Sequence, residues 1–266
     1  MKKFFFLLSV TLLLASCGEY NRVLNDNDPV KQYSLAQKLY EKGQYYKAER
    51  LFALADPALK SHPKYERLKF LRAMSLYKMK QYHSAGYQFR SFTRLFPKST
   101  KKEEADYYIV KCYYNLTPEY YRDLTYGEKT LEEAERFIRE YPNSKYLKDI
   151  NEIVKDVSFR FQMKDFAKAD LYYNLEYYKP AVKAFNIFLS DHPGSPLREK
   201  AHYMRFLSAA KLALNSVEEK QAERVAEALK YYHKFEQLFP ESEYLDKMRK
   251  WKKKLDQLNE SKKQTL

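Results

Sequence analysis

Apolar residues recur along this chain at intervals that are typical of helices. The clearest example runs Tyr178, Ala181, Phe185, Phe188 and Pro193. Ala181, Phe185 and Phe188 share one helical face at this spacing. Pro193 ends the helix, because proline disfavours helical geometry at the residue before it. No alternating run of β-branched residues suggests a strand. The chain is therefore predicted to be all-α.

The same spacing returns at Tyr82, Ala85, Phe89, Phe92 and Pro97 and, in weaker form, in three other places, which indicates a repeat protein. The pattern resembles the tetratricopeptide repeat, a pair of antiparallel helices. This resemblance implies a right-handed superhelix of about five helix pairs with a concave inner face, followed by a C-terminal helix. The predicted repeats cover residues 30–63, 64–98, 103–143, 149–194 and 197–241, within a repeat domain of residues 30–245.

The chain begins with a segment of the kind that directs export. Lys2 and Lys3 precede an apolar run that is too short to span a bilayer. The run ends in a Leu-Ala-Ser-Cys sequence that resembles the bacterial lipobox, in which the cysteine is lipidated and becomes the mature N-terminus. We predict a lipoprotein signal peptide over residues 1–16, a lipid anchor at Cys17 and a lipidated polar tether over residues 17–29. The alternative is an ordinary secretory signal with a chance cysteine.

Composition narrows the range of partners. The formal net charge is +14, and removal of Lys2 and Lys3 with the signal peptide leaves +12. A basic protein binds acidic lipid headgroups, nucleic acid or acidic protein surfaces, and export argues against nucleic acid. No apolar stretch after Cys17 is long enough to cross a membrane.

The sequence offers little that could carry out a reaction. The five histidines form no metal-binding pair, and there is no glycine-rich phosphate loop. If Cys17 carries lipid, Cys112 has no disulfide partner. Cys112 falls instead at the place in the first helix of each repeat where a small residue lets two helices cross closely. We therefore predict no enzymatic activity, metal or cofactor.

The small residues predicted at the helix crossings of the five repeats are Ala36, Ala73, Cys112, Ala169 and Ser208.

A more specific resemblance comes from the order of these features. A lipobox is followed by five repeats, an insertion at residues 117–127 that contains Arg122 and Asp123, and an aromatic-Pro-x-Ser sequence after several second helices. Over about residues 14–245 the chain resembles the BamD family of outer-membrane protein assembly lipoproteins. The resemblance implies a non-catalytic scaffold anchored on the periplasmic face of a Gram-negative outer membrane. Its implied partners are the periplasmic domains of the barrel insertase BamA, other assembly lipoproteins and unfolded outer-membrane proteins.

Three surfaces are candidate binding sites. Tetratricopeptide arrays bind peptides on first-helix side chains, although here the same side chains are equally good candidates for core between repeats. The predicted peptide-groove residues are Tyr33, Gln37, Tyr40, Phe70, Met74, Tyr77, Ile109 and Tyr113. Arg122 and Asp123 are predicted to contact a partner.

A basic amphipathic helix is predicted over residues 246–258, with a disordered tail over residues 259–266. Trp251, Lys252, Lys253 and Lys254 either help this helix to cap the last repeat or contact lipid or an acidic insertase surface. A different function would be that of an outer-membrane carrier or receptor lipoprotein for a glycan or another envelope protein. A single Trp in a basic tail fits sugar stacking poorly.

Overall fold

The computed structural model describes residues 18–263, with side chains described for residues 18–260. Its regular structure is helical throughout these residues, which confirms the predicted all-α fold of tetratricopeptide-type helix pairs. Residues 18–24 form a short helical segment before the first long helix. The predicted signal peptide, Cys17 and residues 264–266 lie outside the described residues. The helices are α1 (Pro29–Glu41), α2 (Tyr45–Ala55), α3 (Tyr65–Lys78), α4 (Tyr82–Leu95), α5 (Lys102–Leu116), α6 (Thr125–Glu140), α7 (Leu147–Asn174), α8 (Tyr178–Asp191), α9 (Arg198–Leu214), α10 (Glu218–Leu238) and α11 (Leu245–Lys263).

The chain divides into two compact units, and the boundary lies within the long helix α7. The N-terminal unit ends at Val157 and contains the pairs α1–α2, α3–α4 and α5–α6. The C-terminal unit begins at Ser158. In it, the second part of α7 packs against α8 through Phe166, whose ring lies 5.6 Å from those of Phe185 and Phe188. The pair α9–α10 and the helix α11 complete this unit.

A small side chain marks the close approach of helices in each first helix. The five predicted small residues are all at most 1% exposed. At Cys112 the approach is directly visible, because a Cβ added to Gly86 of α4 would lie 3.4 Å from the Cβ of Cys112 in α5. A branched side chain at residue 112 would therefore push α4 and α5 apart. The prediction that Cys112 is a packing residue is confirmed.

Aromatic side chains end four of the second helices in the same way. In α4, the N–H of Phe96 donates to the carbonyl of Phe92, and the two rings lie 5.3 Å apart. Pro97 cannot continue the helix. The side chain of Ser99 then accepts a hydrogen bond from the Lys101 N–H, at 3.0 Å, which forms the turn into α5. The same arrangement follows α6, α8 and α10, at residues 141–146, 192–197 and 239–244.

Three of the turns within pairs contain a left-handed residue at the same place. Gly43 has φ +74°, which glycine adopts without steric cost. Lys80 and Glu176, which take the same place in later pairs, have φ +60° and +62°. A side chain in this conformation costs roughly 1 kcal/mol or more, so the packing of the adjoining helices holds these two turns in place.

Two terminal segments differ from the sequence prediction. Residues 18–24 of the predicted tether are helical, and their Tyr20 and Val23 side chains are buried against α1 and α2 because both are apolar and lie on one face. Asp28 caps α1 by accepting hydrogen bonds from the Val30 and Lys31 N–H groups. At the other end α11 runs to Lys263, so residues 259–263 of the predicted disordered tail are helical. No helix in residues 18–263 combines the length and apolar character needed to cross a membrane.

Candidate functional site

Four of the predicted groove residues lie in the core rather than on a surface. Tyr33, Phe70 and Met74 are 3%, 8% and 6% exposed. Tyr33 packs against the ring of Phe52, and Phe70 packs against those of Phe89 and Phe92. Ile109, named with them, is fully buried. The prediction that these side chains form an open peptide groove is therefore wrong, because nearly all of their surface is covered by other side chains.

The other groove tyrosines are half-buried at the turns. The ring of Tyr40 lies 5.4 Å from that of Tyr45, and the ring of Tyr77 lies 5.5 Å from that of Tyr82. Burial raises the pKa of Tyr40 and of Tyr77 to about 12. Tyr113 stacks on Tyr126 at 6.4 Å. These tyrosines hold the start of each second helix against the end of the first.

The physical reason for the difference is that a first helix is covered on two sides. Helix α3 packs against its own partner α4 and also against α1 and α2 of the preceding pair. An aromatic stripe at spacings of three and four residues therefore meets helices on both sides of α3. The sequence shows that the stripe is apolar, but the spacing alone does not show how many neighbours cover it.

Phe70 nevertheless reaches one cavity, which we call the Phe70 pocket. It has a volume of about 480 Å³ and lies between the turn before α3, the side of α3 and the start of α5. Two aromatic rings line its apolar part, and two cations and one carboxylate line its edge. The lining residues are Pro63, Glu66, Arg67, Phe70, Leu71, Phe92 and Lys101.

Cations and carboxylates meet at the edge of the Phe70 pocket. The Nζ of Lys101 lies 5.5 Å from the centre of the Phe70 ring, and Arg67 is exposed. Glu66 accepts a hydrogen bond from the Ser99 hydroxyl at 2.5 Å, and Lys101 also pairs with Glu104 at 2.8 Å. The exposed Arg67 can therefore pair with a negative charge on an apolar or aromatic group held in the pocket. Sequence reasoning missed Arg67 and Lys101, because neither falls on the repeat motif.

The loop of residues 117–124 is anchored at both ends, and side chains between these ends are exposed to solvent. Leu124 and Thr117 are buried, and the hydroxyls of Thr117 and Thr130 lie 3.1 Å apart. Between these ends, Tyr121 is 68% exposed and Arg122 lies 5.9 Å from its ring. The carboxylate of Asp123 accepts hydrogen bonds from the backbone and hydroxyl of Thr125 at the start of α6. Asp123 therefore stabilises the turn before α6, whereas Tyr121 and Arg122 form an accessible surface.

The C-terminal unit contains a groove between α7 and α8, which we call the α7–α8 groove. Its volume is about 250 Å³. Ile187 is 52% exposed within it, and Asp165 is held at one side by His192, whose Nε2 lies 2.9 Å from the carboxylate. Both signs of charge surround the apolar centre. The lining residues are Asp165, Lys168, Tyr172, Pro180, Lys183, Ala184, Ile187, Phe188 and Asp191.

The predicted basic residues of α11 divide between two surroundings. Met248 and Leu255 are fully buried, and Trp251 packs in part against the core of the C-terminal unit. The helix therefore covers the last pair. Lys252 pairs with Asp256 at 2.7 Å, whereas Lys253 and Lys254 are exposed. Lys254 lies over the Trp251 ring at 4.7 Å.

Chemistry beyond binding has little support in the described residues. No cluster of three or more His, Cys, Asp or Glu side chains could hold a metal ion there. Burial raises the pKa of the Cys112 thiol to about 12, which leaves it protonated and unreactive near neutral pH.

These helix pairs, with their small crossing residues and aromatic ends, define a helical-repeat protein of the tetratricopeptide type. The chain belongs to the family described as "YfiO: Outer membrane lipoprotein", which matches residues 25–187 and 162–261. This is the BamD family, so the resemblance seen in the sequence is confirmed.

Comparisons with individual proteins give less information about this chain than the family match does. No curated protein matches the chain. Among solved structures, the TPR2AB-domain:pHSP90 complex of yeast Sti1 is 15% identical, with a TM-score of 0.43, and the match covers 86% of this chain and 98% of that one. The MamA protein is 14% identical, with a TM-score of 0.32, and the match covers 81% of this chain and 95% of that one.

Proposed function

We propose that the protein is a non-catalytic scaffold of outer-membrane β-barrel assembly. It is attached by lipid at Cys17 to the periplasmic face of the outer membrane, and it binds unfolded barrel proteins and the barrel insertase. Membership of an outer membrane lipoprotein family supports the location. The repeat fold supports protein binding, since stacked helix pairs present extended surfaces to other chains.

The observation that carries the proposal is the Phe70 pocket. An unfolded barrel protein ends in an amphipathic strand with a terminal aromatic residue and a free carboxylate. The apolar part of the pocket suits the ring, and Arg67 and Lys101 suit the carboxylate. Of the residues predicted for the peptide groove, Phe70 is the one that lines this pocket.

The test is binding of a labelled peptide that ends in Phe with a free carboxylate, compared with the same peptide as a C-terminal amide. A hydrogen bond to a charged group contributes about 1.5–3 kcal/mol, so amidation should weaken binding roughly tenfold or more. Arg67→Ala should weaken binding of the acid to a similar extent and leave binding of the amide almost unchanged. Lys98→Gln, which removes an exposed cation outside the pocket, is the matched control.

The free acid and the amide binding equally well would contradict the assignment of the pocket. An equal loss in Arg67→Ala and Lys98→Gln would show that only net charge matters. Circular dichroism of each variant establishes that the helix pairs remain folded.

For the insertase, we propose the α7–α8 groove as the contact surface. Its exposed apolar centre and mixed charges are typical of a site for a folded partner. Ile187→Asp should abolish recovery of the insertase in a pull-down from solubilised envelope. Leu171→Asp alters an exposed leucine of the same unit, 56% exposed and outside the groove, and should leave recovery unchanged. Loss in both variants, or in neither, would refute this contact.

The lipid anchor has a separate test. Cys17→Ser should leave the precursor unmodified by lipid and prevent stable attachment to the outer membrane, as measured by fractionation and mass spectrometry of the N-terminal peptide. A Cys17→Ser protein that still carries lipid would refute the anchor.

A further inference from the structure

The helical segment of residues 18–24 is fixed to the first helix pair. Its Tyr20 and Val23 are each 7% exposed and belong to the apolar core formed by α1 and α2. The Nζ of Lys47, in the first turn of α2, lies 5.3 Å from the centre of the Tyr20 ring. Segment and helix pair therefore form one packed body.

This packing leaves little free chain between the proposed lipid site and the first helix pair. Cys17 directly precedes Gly18, the first described residue of the helical segment. At about 1.5 Å of rise per residue, the helix from Tyr20 back to Gly18 covers only about 3 Å, and Cys17 is the next residue in the chain. A flexible tether over residues 17–29 would instead have a typical span of about 20 Å. A lipid on Cys17 would therefore hold the first pair close to the headgroups.

The part of α2 beside this attachment carries side chains that suit a lipid surface. Tyr46, Arg50 and Leu54 follow one another at intervals of four residues along one face, and Tyr46 is 65% and Leu54 47% exposed. Tyrosine is favoured at the membrane interface, arginine binds phosphate and leucine enters the acyl boundary. We call these three residues the α2 stripe.

The acidic residues of α2 and its C-terminal end do not oppose this surface. Glu49 pairs with Arg72 of α3 at 3.0 Å, and Asp56 pairs with Lys69 of α3 at 3.0 Å. Both carboxylates are thus turned towards the next repeat and neutralised there. On the attached segment the exposed Glu19 and Arg22 balance each other. The cation of the stripe remains available to lipid phosphate.

We propose that the α2 stripe lies on the headgroups of the membrane to which the protein is anchored. This inference rests on the proposed lipid attachment at Cys17. It means that the first helix pair has a fixed orientation at the membrane.

The experiment uses the full lipidated chain, purified from membranes and reconstituted into phosphatidylethanolamine–phosphatidylglycerol vesicles with nitroxide-labelled headgroups. Trp251→Phe removes the only native tryptophan. Tyr46→Trp then places an indole in the stripe. The matched control is Tyr87→Trp, at a tyrosine of the same unit that is 67% exposed and lies in the next pair. We expect headgroup nitroxide to quench most of the Tyr46→Trp emission and little of the Tyr87→Trp emission.

Equal quenching at the two positions, or none at Tyr46→Trp, overturns the proposal. The second result would mean that the stripe is open to water or to a protein partner instead. Adding Arg50→Glu should reduce the quenching at Tyr46→Trp if phosphate binding contributes, and unchanged quenching would rule out that contribution. Flotation of the protein with the vesicles is measured in the same samples. Failure to float would mean that the lipid anchor itself is wrong, whereas flotation without quenching leaves the anchor intact and refutes the orientation.

Discussion

The two units have the same repeat motif but join their helix pairs by different polar contacts. In the N-terminal unit, buried carboxylates join neighbouring helices. Asp106 is 1% exposed and binds Lys102 and Arg136, each at 2.8 Å. Glu133 of α6 binds Arg136 and also Arg90 of α4. Burial opposes the ionisation of Asp106, but the hydrogen bonds from Lys102, Arg136 and Tyr141 outweigh it and hold the pKa of Asp106 below its usual range.

In the C-terminal unit a buried cation is held mainly by neutral groups. Arg205 is 6% exposed, donates to the Asn186 side chain and to the Nδ1 of His202, each at 2.9 Å, and lies 4.2 Å from the Tyr231 ring. Burial lowers the pKa of Arg205. The ion pairs described for this unit, such as Arg249–Asp246, lie at its surface.

The aromatic and small residues therefore establish the same helix geometry in both units, whereas the polar contacts between pairs vary. In both units the burial of the repeated apolar residues is nearly complete. The polar contacts determine instead how each unit responds to mutation and to pH.

The largest expected effect is from Asp106→Asn. This change leaves Lys102 and Arg136 without their shared buried carboxylate and should cost about 3–5 kcal/mol of the free energy of unfolding. Urea unfolding followed by circular dichroism measures it. The control Asp149→Asn removes a carboxylate whose side chain is 45% exposed and which pairs with Lys111, and should cost about 1 kcal/mol or less. Similar costs for both would remove the distinction between buried and exposed carboxylates.

Mild acid should weaken the C-terminal unit first. Burial, with the charges of Arg205, Arg198 and Lys234, lowers the pKa of His202 from 6.5 to about 4. Between these values the unfolded chain binds more protons than the folded one. The contribution of neutral His202 to the free energy of unfolding is therefore fully present above about pH 6.5. Roughly 3 kcal/mol of that free energy is lost as the pH falls to about 4. The carboxyl pKa of Asp106 lies below that window, so its contacts persist through it.

Trp251 reports this loss, since it packs against the core of the C-terminal unit and is the only tryptophan. Urea unfolding followed by its fluorescence should show falling stability between pH 6.5 and about 4. His202→Asn keeps an acceptor for Arg205 but does not titrate, and should flatten that dependence. An unchanged slope in His202→Asn would mean that another group causes the acid response.

Enlarging the small residues should affect both units alike. Cys112→Leu in the N-terminal unit and Ser208→Leu in the C-terminal unit each insert a branched side chain at a helix crossing, and each should cost about 1–3 kcal/mol. Thermal unfolding measures both, and Cys112→Ala is the tolerated control. A large cost in only one unit would show that the crossing geometry is not shared.

The smallest effects are expected at surface ion pairs in either unit. Arg139→Ala breaks a pair with Glu135 whose side chains are 68% and 79% exposed, and Arg249→Ala breaks the pair with Asp246. Each should change the free energy of unfolding by less than about 0.5 kcal/mol, because water and salt screen such charges. A cost above about 1 kcal/mol in either variant would show that surface pairs also distinguish the units.

Much of the fold could be predicted from the sequence, because the repeat motif is local. The spacing of Tyr178, Ala181 and Phe185 predicts a helix, and α8 begins at Tyr178 and buries that face. The helical segment of residues 18–24 was missed because it is short and polar in composition, and only Tyr20 and Val23 hold it to the core.

The candidate site could be predicted only in part. The repeat register predicts Phe70, and Arg67 lies one turn before it on the same helix α3. Lys101 joins them only because the start of α5 returns to the side of α3, and no sequence spacing relates Lys101 to Phe70.

The amino-acid pattern is enough to establish that this protein is a helical repeat array, because side chains three and four residues apart share a helical face wherever they occur. Which aromatic residues stay accessible depends on tertiary packing. Tyr33 and Phe70 occupy similar helical positions, yet the first is enclosed and the second reaches a cavity. The reason is that burial depends on every helix packed around a side chain, and those neighbours come from other repeats.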